Sequence, residues 1–307
     1  MHFAPNEDQA AFFAVLEQMT QSPEAAWVSS PDWFRFDYSP RLDRMLEDNG
    51  FFECAKEPTL GLASAAAMTY RLARSPALVE CAASSMLRAV FAPDAPRPVA
   101  VIEAGIDQVA PFLPRAASVF RLDGEKVMIA RIEPNDVETM ESLFAYPMGR
   151  LRAGAGLDWQ VVSGSVEDAR TVWRVAIAAE LAGCLKGGLD AVVKHVSERQ
   201  QFGRPLGAFQ TIQHRLAQAA VKIEAAYWLT LSAAQHRGIR ESTLAVGYVQ
   251  EASLRIVLDL HQFMGAMGLT LEHPLHRWTY RARMLRGLLG GPTGNLRHYF
   301  ASKWNDA

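Results

Sequence analysis

Cysteine is scarce in this chain: 3 among 307 residues, at Cys54, Cys81 and Cys184, far apart and each in an apolar setting. An odd, scattered set provides neither a disulfide framework nor a zinc-ligand spacing, so all three read as small core residues and no metal is expected. A surplus of either charge is missing too. Lys and Arg total 31 against 33 Asp and Glu, a formal net charge of -2, which leaves no general electrostatic reason to bind nucleic acid or an anionic membrane surface. No apolar run approaches the roughly 20 residues of a membrane-crossing helix, and the best internal stretch is broken by Glu180. The opening Met1-His-Phe-Ala-Pro-Asn-Glu-Asp8 has acidic and polar residues where a secretory signal has a basic end and an apolar stretch. A cytoplasmic protein without nucleic-acid or membrane partners is expected. Gly-x-Ser-x-Gly, a Walker-type loop and His-Glu-x-x-His are absent as well, so hydrolase, nucleoside-triphosphatase and zinc-protease readings have no support.

Hydrophobic residues make up 50% of the chain, ample for a sizeable core, and the length predicts two or three subdomains sharing one fold. Residues 1–94 read as a helical domain, with helices at Glu7 to Met19, Pro40 to Asn49, Leu60 to Ala73 and Ser75 to Phe91, interrupted at Gly50, Pro93 and Pro96. At Arg97 the texture changes to short β-type runs, Val99 to Glu103, Ala117 to Arg121 and Lys126 to Arg131. The last two are joined by Leu122-Asp-Gly-Glu125, a hairpin signal. Residues 95–165 therefore read as a reduced β domain. Ser165-Val-Glu-Asp168 then has the form of a capping box. From it Val172, Val175, Ala179, Ala182, Leu185, Leu189, Val192 and Val196 recur at helical spacing.

A helix from 166 to 201 would be about 54 Å long at 1.5 Å per residue, and Gly183, Gly187 and Gly188 within it read as close packing of a neighbour. A second helix, marked by Ile212, Leu216, Ala219, Ile223, Ala226 and Thr230, folds back antiparallel. A third runs from Ser242 to Met264, a fourth starts at Glu272-His-Pro274, and a last one runs toward Trp304. The fold class is mainly α with a small β domain, closed by a C-terminal four-helix bundle over 166–307.

Between the first two long helices lies Arg199-x-x-Phe-Gly-Arg-Pro-Leu-Gly-x-Phe-Gln-x-Ile-Gln-His214. Gly203, Gly207 and Pro205 break the helix, and Arg199, Gln200, Gln201, Gln210, Gln213 and His214 put more donors around the break than a connector needs. Gln213 and His214 also read as caps of the second helix, and Phe202 alone as core packing. A second polar turn, Gln262-x-x-Gly-Ala-x-Gly268, stops the third helix.

These two motifs, in this order and behind a helical and a β segment, resemble the flavin-dependent acyl-CoA dehydrogenase family. The resemblance covers 165–300 and, more faintly, Phe3 to Gln9 and the hairpin at Leu122 to Lys126. It implies FAD as cofactor and an acyl-CoA thioester as substrate, with an electron-transfer flavoprotein as acceptor. It also implies that Arg199, Phe202, Gln210, Gln262, Gly265 and Gly268 reach across a subunit interface to the adenosine and pyrophosphate end of an FAD bound mainly by the neighbour. The residue types suit that role: a guanidinium offers planar donors to phosphate, amides read polar edges, and glycines let backbone approach.

The same resemblance implies a glutamate base, and the chain departs from it there. Leu289, in Gly287-Leu-Leu-Gly-Gly291, stands at one position the family uses, and Trp173, 26 residues ahead of Arg199, at the other. Neither side chain accepts a proton. Glu180, in an apolar stretch near Trp173, is the remaining candidate base, against a bland reading as a buried glutamate bonded to a neighbouring helix. The combination resembles the smaller subunit of the heterotetrameric acyl-CoA dehydrogenases of steroid side-chain degradation, in which a complete partner subunit supplies the base. The alternatives are a silent scaffold without cofactor and a homo-oligomeric acyl-CoA enzyme using Glu180. The basic segment holding His276, Arg277, Arg281, Arg283, Arg286, Arg297 and His298 reads either as a phosphate-neutralising surface or as a solvated or partner-facing one.

Overall fold

A computed structural model describes residues 4–22, 36–103, 105, 107–122 and 124–304; Phe3 of the N-terminal resemblance and Asp123 of the hairpin turn lie outside them. The N-terminal segment contains α1 (Glu7–Thr20), α2 (Pro40–Asp48) and α3 (Gly61–Ala73). A reciprocal cap sets the start of α1: Asn6 Oδ1 accepts from the Gln9 amide at 2.7 Å and the Asn6 amide donates to Gln9 Oε1 at 3.1 Å. The helix expected from Ser75 is not formed as such. The buried Glu80 carboxylate accepts from the amides of Ala83 and Ser84 at 3.0 and 3.3 Å. It thereby caps a π-type turn, Ala83–Arg88, that runs into the short α4, Ala89–Phe91.

The β region is fuller than the three apolar runs imply. One sheet has the order β1 (Val99–Ile102), β3 (Ser118–Arg121), β4 (Lys126–Arg131) and β7 (Gln160–Ser165); the other has β2 (Ala110–Pro111), β6 (Met148–Leu151) and β5 (Val137–Met140). The expected β3–β4 hairpin is present, with Ser118 opposite Arg131 and Arg121 opposite Met128. Along β1 the pleat sends Ala100 and Ile102 into a small core between the sheets and Val99 and Val101 into the main core. That main core is continuous from Leu16 through Phe120 and Leu181 to Leu288, so the helical and β segments share it.

Ser165 starts α5 (Val166–Glu198), its hydroxyl accepting from the Asp168 amide at 3.0 Å and donating to the Asp168 carboxylate at 2.7 Å. At 33 residues the helix is about 50 Å long. It ends three residues short of the expectation, because the chain turns into a tiny hairpin of β8 (Gln200–Gln201) and β9 (Arg204–Pro205). Then follow α6 (Gln210–His236), α7 (Ile239–Met264), α8 (Leu275–Gly287) and α9 (Gly291–Trp304). The glycines of α5 mark close crossings. A Cβ on Gly183 would lie 2.3 Å from the Tyr70 carbonyl oxygen of α3, and one on Gly187 would lie 2.4 Å from Trp278 Nε1 of α8 and 2.5 Å from the Arg74 carbonyl oxygen. The three cysteines are buried and unpaired, as expected of core residues. No helix among the described residues is long and apolar enough to cross a membrane.

Candidate functional site

Local geometry makes the corner between α5 and α6 rigid. The Arg199 amide donates to the His195 carbonyl at 2.9 Å, and the Leu206 amide donates to the Arg199 carbonyl at 2.9 Å, closing the hairpin. Its two tip residues, Phe202 and Gly203, both have positive φ, 55° and 78°, the requirement of a tight hairpin turn. Glycine accepts this freely; phenylalanine does not. Phe202 is nonetheless 87% exposed. It meets Phe209 edge-on with centroids 6.2 Å apart, while the Arg204 guanidinium covers the Phe209 ring at 4.0 Å. The core reading of Phe202 is thereby excluded. Gln213, also exposed, donates to the Gly207 carbonyl at 2.8 Å, so it braces the loop. His214 is exposed.

The second turn is brought to the same end of the bundle. Arg215, early in α6, pairs with the buried Asp259 near the end of α7 and lies over the Phe263 ring at 4.7 Å. The two helices therefore run antiparallel, and α7 finishes beside the corner. Gly265 terminates α7 with φ 64° and ψ -143° and has open space where a side chain would stand. Gly268 has a different reason to be glycine: it is buried, and a Cβ would press on Met264 Cβ at 3.0 Å and Leu275 Cδ2 at 3.3 Å. Arg199, Gln210 and Gln262 are exposed and have no side-chain partner among the described residues. One end of the bundle thus offers a guanidinium, amides and an aromatic face to something outside the chain, the donor chemistry of phosphate and a planar base.

A second cluster lies at the centre, where the N-terminal segment, the β region and the bundle meet. Glu180 is buried, and its Oε1 accepts the Tyr146 hydroxyl at 2.7 Å. The expected partner was a neighbouring helix; the actual one comes from the β region, between β5 and β6. Burial pushes the Glu180 carboxyl up to about 6 and the neighbouring Glu80 adds to the rise, while the Tyr146 bond and Arg281 oppose it. The cavity beside Glu180, lined also by Glu80, Phe112, Trp173 and Leu288, measures about 20 Å3, room for about one water.

Leu289 and Trp173 converge on a carboxylate that sequence reading passed over. Trp173 Nε1 donates to Glu103 Oε1 at 2.5 Å, and the Leu289 amide donates to Glu103 Oε2 at 2.9 Å. Burial raises the Glu103 carboxyl, opposed by these two bonds and by Arg170 and Arg174. Leu289 itself is left-handed, φ 55° and ψ 33°. Asn295 Nδ2 holds its carbonyl at 3.2 Å, and Gln250 Nε2 holds the carbonyl of Leu288 at 3.1 Å. The only hint of Glu103 in the sequence is an acidic residue closing an apolar strand.

Residues 165–301 match the model of the family described as Acyl-CoA dehydrogenase, C-terminal domain. A 3-sulfinopropanoyl-CoA desulfinase of Paraburkholderia xenovorans is 32% identical over 173 residues, 55% of this chain and 42% of that protein. Acyl-CoA dehydrogenase FadE34 of Mycobacterium tuberculosis is 34% identical over 168 residues, 52% of this chain and 23% of that one. The chain thus spans less than half the length of either curated relative. Among solved structures, the ChsE4-ChsE5 complex from Mycobacterium tuberculosis superposes with a TM-score of 0.77 at 19% identity, covering 100% of both chains. A Tcur3481-Tcur3483 steroid ACAD variant superposes with a TM-score of 0.76 at 20% identity, covering 99% of this chain and 100% of that one. A glutaryl-coenzyme A dehydrogenase in complex with glutaryl-CoA gives 0.75 at 19%, covering 100% of this chain and 98% of that one. At these identities the likeness shows the fold.

Proposed function

Residues 165–301 belong to the acyl-CoA dehydrogenase C-terminal domain family, and from that membership we propose that the chain is a subunit of an FAD-dependent acyl-CoA dehydrogenase, shared with a second, complete dehydrogenase-like chain. The observation that carries this reading is the division between an open end and a closed centre. At the open end Arg199, Gln210 and Gln262 have no side-chain partner among the described residues, and Gly265 leaves space against the backbone. This donor set fits the diphosphate and adenosine of a dinucleotide. The centre does not fit its ring system: the cavity of about 20 Å3 beside Glu180 has no room for a tricyclic group or an acyl chain.

FAD, when bound, supplies the hydride acceptor for α,β-desaturation of an acyl-CoA thioester. In this reading Arg199 neutralises phosphate charge, Gln210 and Gln262 orient the tail by amide contacts, and Phe202 offers its exposed ring to the base. Gly268 serves by keeping the turn packed on Leu275. The proton is taken by a carboxylate of the partner subunit, since Leu289 and Trp173 supply none and Glu180 faces space for about one water. An electron-transfer flavoprotein is the acceptor implied by the family, and the steroid-type neighbours among solved structures favour a heteromeric assembly and a steroid side-chain acyl-CoA.

The test is to purify the chain alone and with a dehydrogenase-like partner, and to measure flavin content and acyl-CoA oxidation. Flavin is expected only in the complex. Arg199→Ala and Gln262→Ala should each weaken FAD retention about tenfold or more, the loss of one charge-assisted or well-placed hydrogen bond. A complex that holds full flavin and is indifferent to both substitutions overturns the shared-site reading. FAD binding and turnover by the lone chain would favour the homo-oligomeric one.

A further inference from the structure

Glu103, Trp173 and Leu289 come from three distant parts of the chain: the end of β1, the first half of α5 and the turn between α8 and α9. Two N–H groups, one indole and one backbone amide, meet at one carboxylate, one oxygen to each donor at 2.5 and 2.9 Å. The surroundings favour an anionic oxygen. Arg170 and Arg174 both act on Glu103 electrostatically, while each is anchored elsewhere, Arg170 to the Leu122 carbonyl at 2.8 Å and Arg174 to Glu167 at 2.7 Å. The amide donor is fixed at a strain: Leu289 is left-handed, a conformation unfavourable for any residue with a branched side chain. It is held there from outside by Glu103, Asn295 and Gln250. Strain maintained by surrounding bonds is a mark of a preorganised site. The site adjoins the central cavity, since Trp173 lines the cavity and so does Leu288, the residue before Leu289.

We propose that the Trp173 indole N–H and the Leu289 amide form a two-donor hole for a carboxylate, one oxygen to each donor, and that Glu103 fills it from within, closing this chain's own centre to any such ligand. The side chain does for the hole what a bound carboxylate would do: it satisfies both donors and offsets the nearby guanidinium charge. Removing it leaves two aligned donors in a space the size of a small carboxylate. The inference goes beyond the shared-site reading and needs neither flavin nor partner, so the two fail separately.

The experiment uses the full chain, with formate as probe and chloride as the ionic-strength control. In Glu103→Ala, formate should raise the melting temperature saturably, by about 3 °C at ten times its Kd. Neither the unsubstituted chain nor Glu103→Ala combined with Trp173→Phe should respond this way. A folded Glu103→Ala chain that shows no saturable shift overturns the proposal, and so does an equal response from the unsubstituted chain. Should Glu103→Ala not fold, Glu103→Gln keeps the shape and replaces the carboxylate with one amide oxygen. The Trp173 indole proton, assigned by its loss in Trp173→Phe, should then move upfield or the Leu289 amide proton should do so. Both remaining unchanged overturns the proposal equally.

Discussion

Glu180→Gln isolates the energetic consequence of burying a carboxylate beside Tyr146. The glutamine keeps the shape and an oxygen for the Tyr146 hydroxyl, 2.7 Å away in the native pair, and removes only the ionisation. In the folded chain the Glu180 carboxyl is raised from its ordinary 4.5 to about 6, by burial first and by Glu80, against the pull of Tyr146 and Arg281. The folded state therefore holds this proton more tightly than the unfolded one. The group's contribution to stability is full below about pH 4.5 and falls as pH rises to about 6, beyond which it is constant. At 1.36 kcal/mol per unit, the span amounts to about 2 kcal/mol.

The measurement is urea unfolding of both proteins at closely spaced pH values. Taking the difference between them cancels the titrating groups that are not coupled to Glu180. Glu180→Gln should gain about 2 kcal/mol relative to the native chain between pH 4.5 and 6.5, and nothing more above it. A flat difference, or one of opposite sign, refutes the assignment of a raised, ionisable Glu180. In the flavin-loaded complex the same variant should retain turnover, because Glu180 has no room for substrate; a loss of several orders of magnitude would make it the base.

Other substitutions test the packing that positions the site. Gly183→Ala should destabilise by about 1–3 kcal/mol despite the better helix former, because its Cβ meets a backbone oxygen at 2.3 Å. Gly287→Ala, with nothing within 4 Å at the end of α8, should be neutral or stabilising by up to about 1 kcal/mol; thermal denaturation of the two side by side checks the opposite signs. Asn295→Ala should cost about 2–3 kcal/mol in the same assay, since Asn295 Nδ2 bonds Gln250 Oε1 at 3.0 Å and the Leu289 and Gly291 carbonyls at 3.2 and 3.0 Å.

What was legible in the sequence was whatever local chemistry decides. The long helices carry apolar residues at helical spacing, and Ser165 and Asp168 announce the start of α5 to the residue. Pro205 and the glycines announce the corner, and the glycines of α5 proved to be sites of close helix approach, as read. Illegible was whatever depends on partners far along the chain. Strands β5 and β6 have four residues each, and along the longer β7, Gln160–Ser165, none of the side chains is buried, so no inward-facing pattern marks it. The segment after Ser75 has helix-forming alanines, yet the buried Glu80 carboxylate caps a later start. Glu103 is the extreme case: its two donors are 70 and 186 residues away, and no local pattern records such a meeting.

The closed centre holds three acidic side chains that differ in how completely they are satisfied, and that difference orders their consequences. Glu80 accepts from the amides of Ala83, Ser84 and Val99 and from the Ser84 hydroxyl; Glu103 accepts from two N–H groups; Glu180 accepts from one hydroxyl. A buried carboxylate is tolerated in proportion to the donors it is given. Glu80 is thus fixed as a cap, and its removal would unbond several backbone amides together. Glu103 is held by two rigid donors that would remain aligned without it, which makes its hole a candidate binding site once emptied. Glu180 has one donor and a water-sized space beside it. Burial raises all three carboxyls, and at Glu180 the opposing donor is the Tyr146 hydroxyl: Tyr146→Phe, by withdrawing it, should push that carboxyl higher and move its pH window of destabilisation upward.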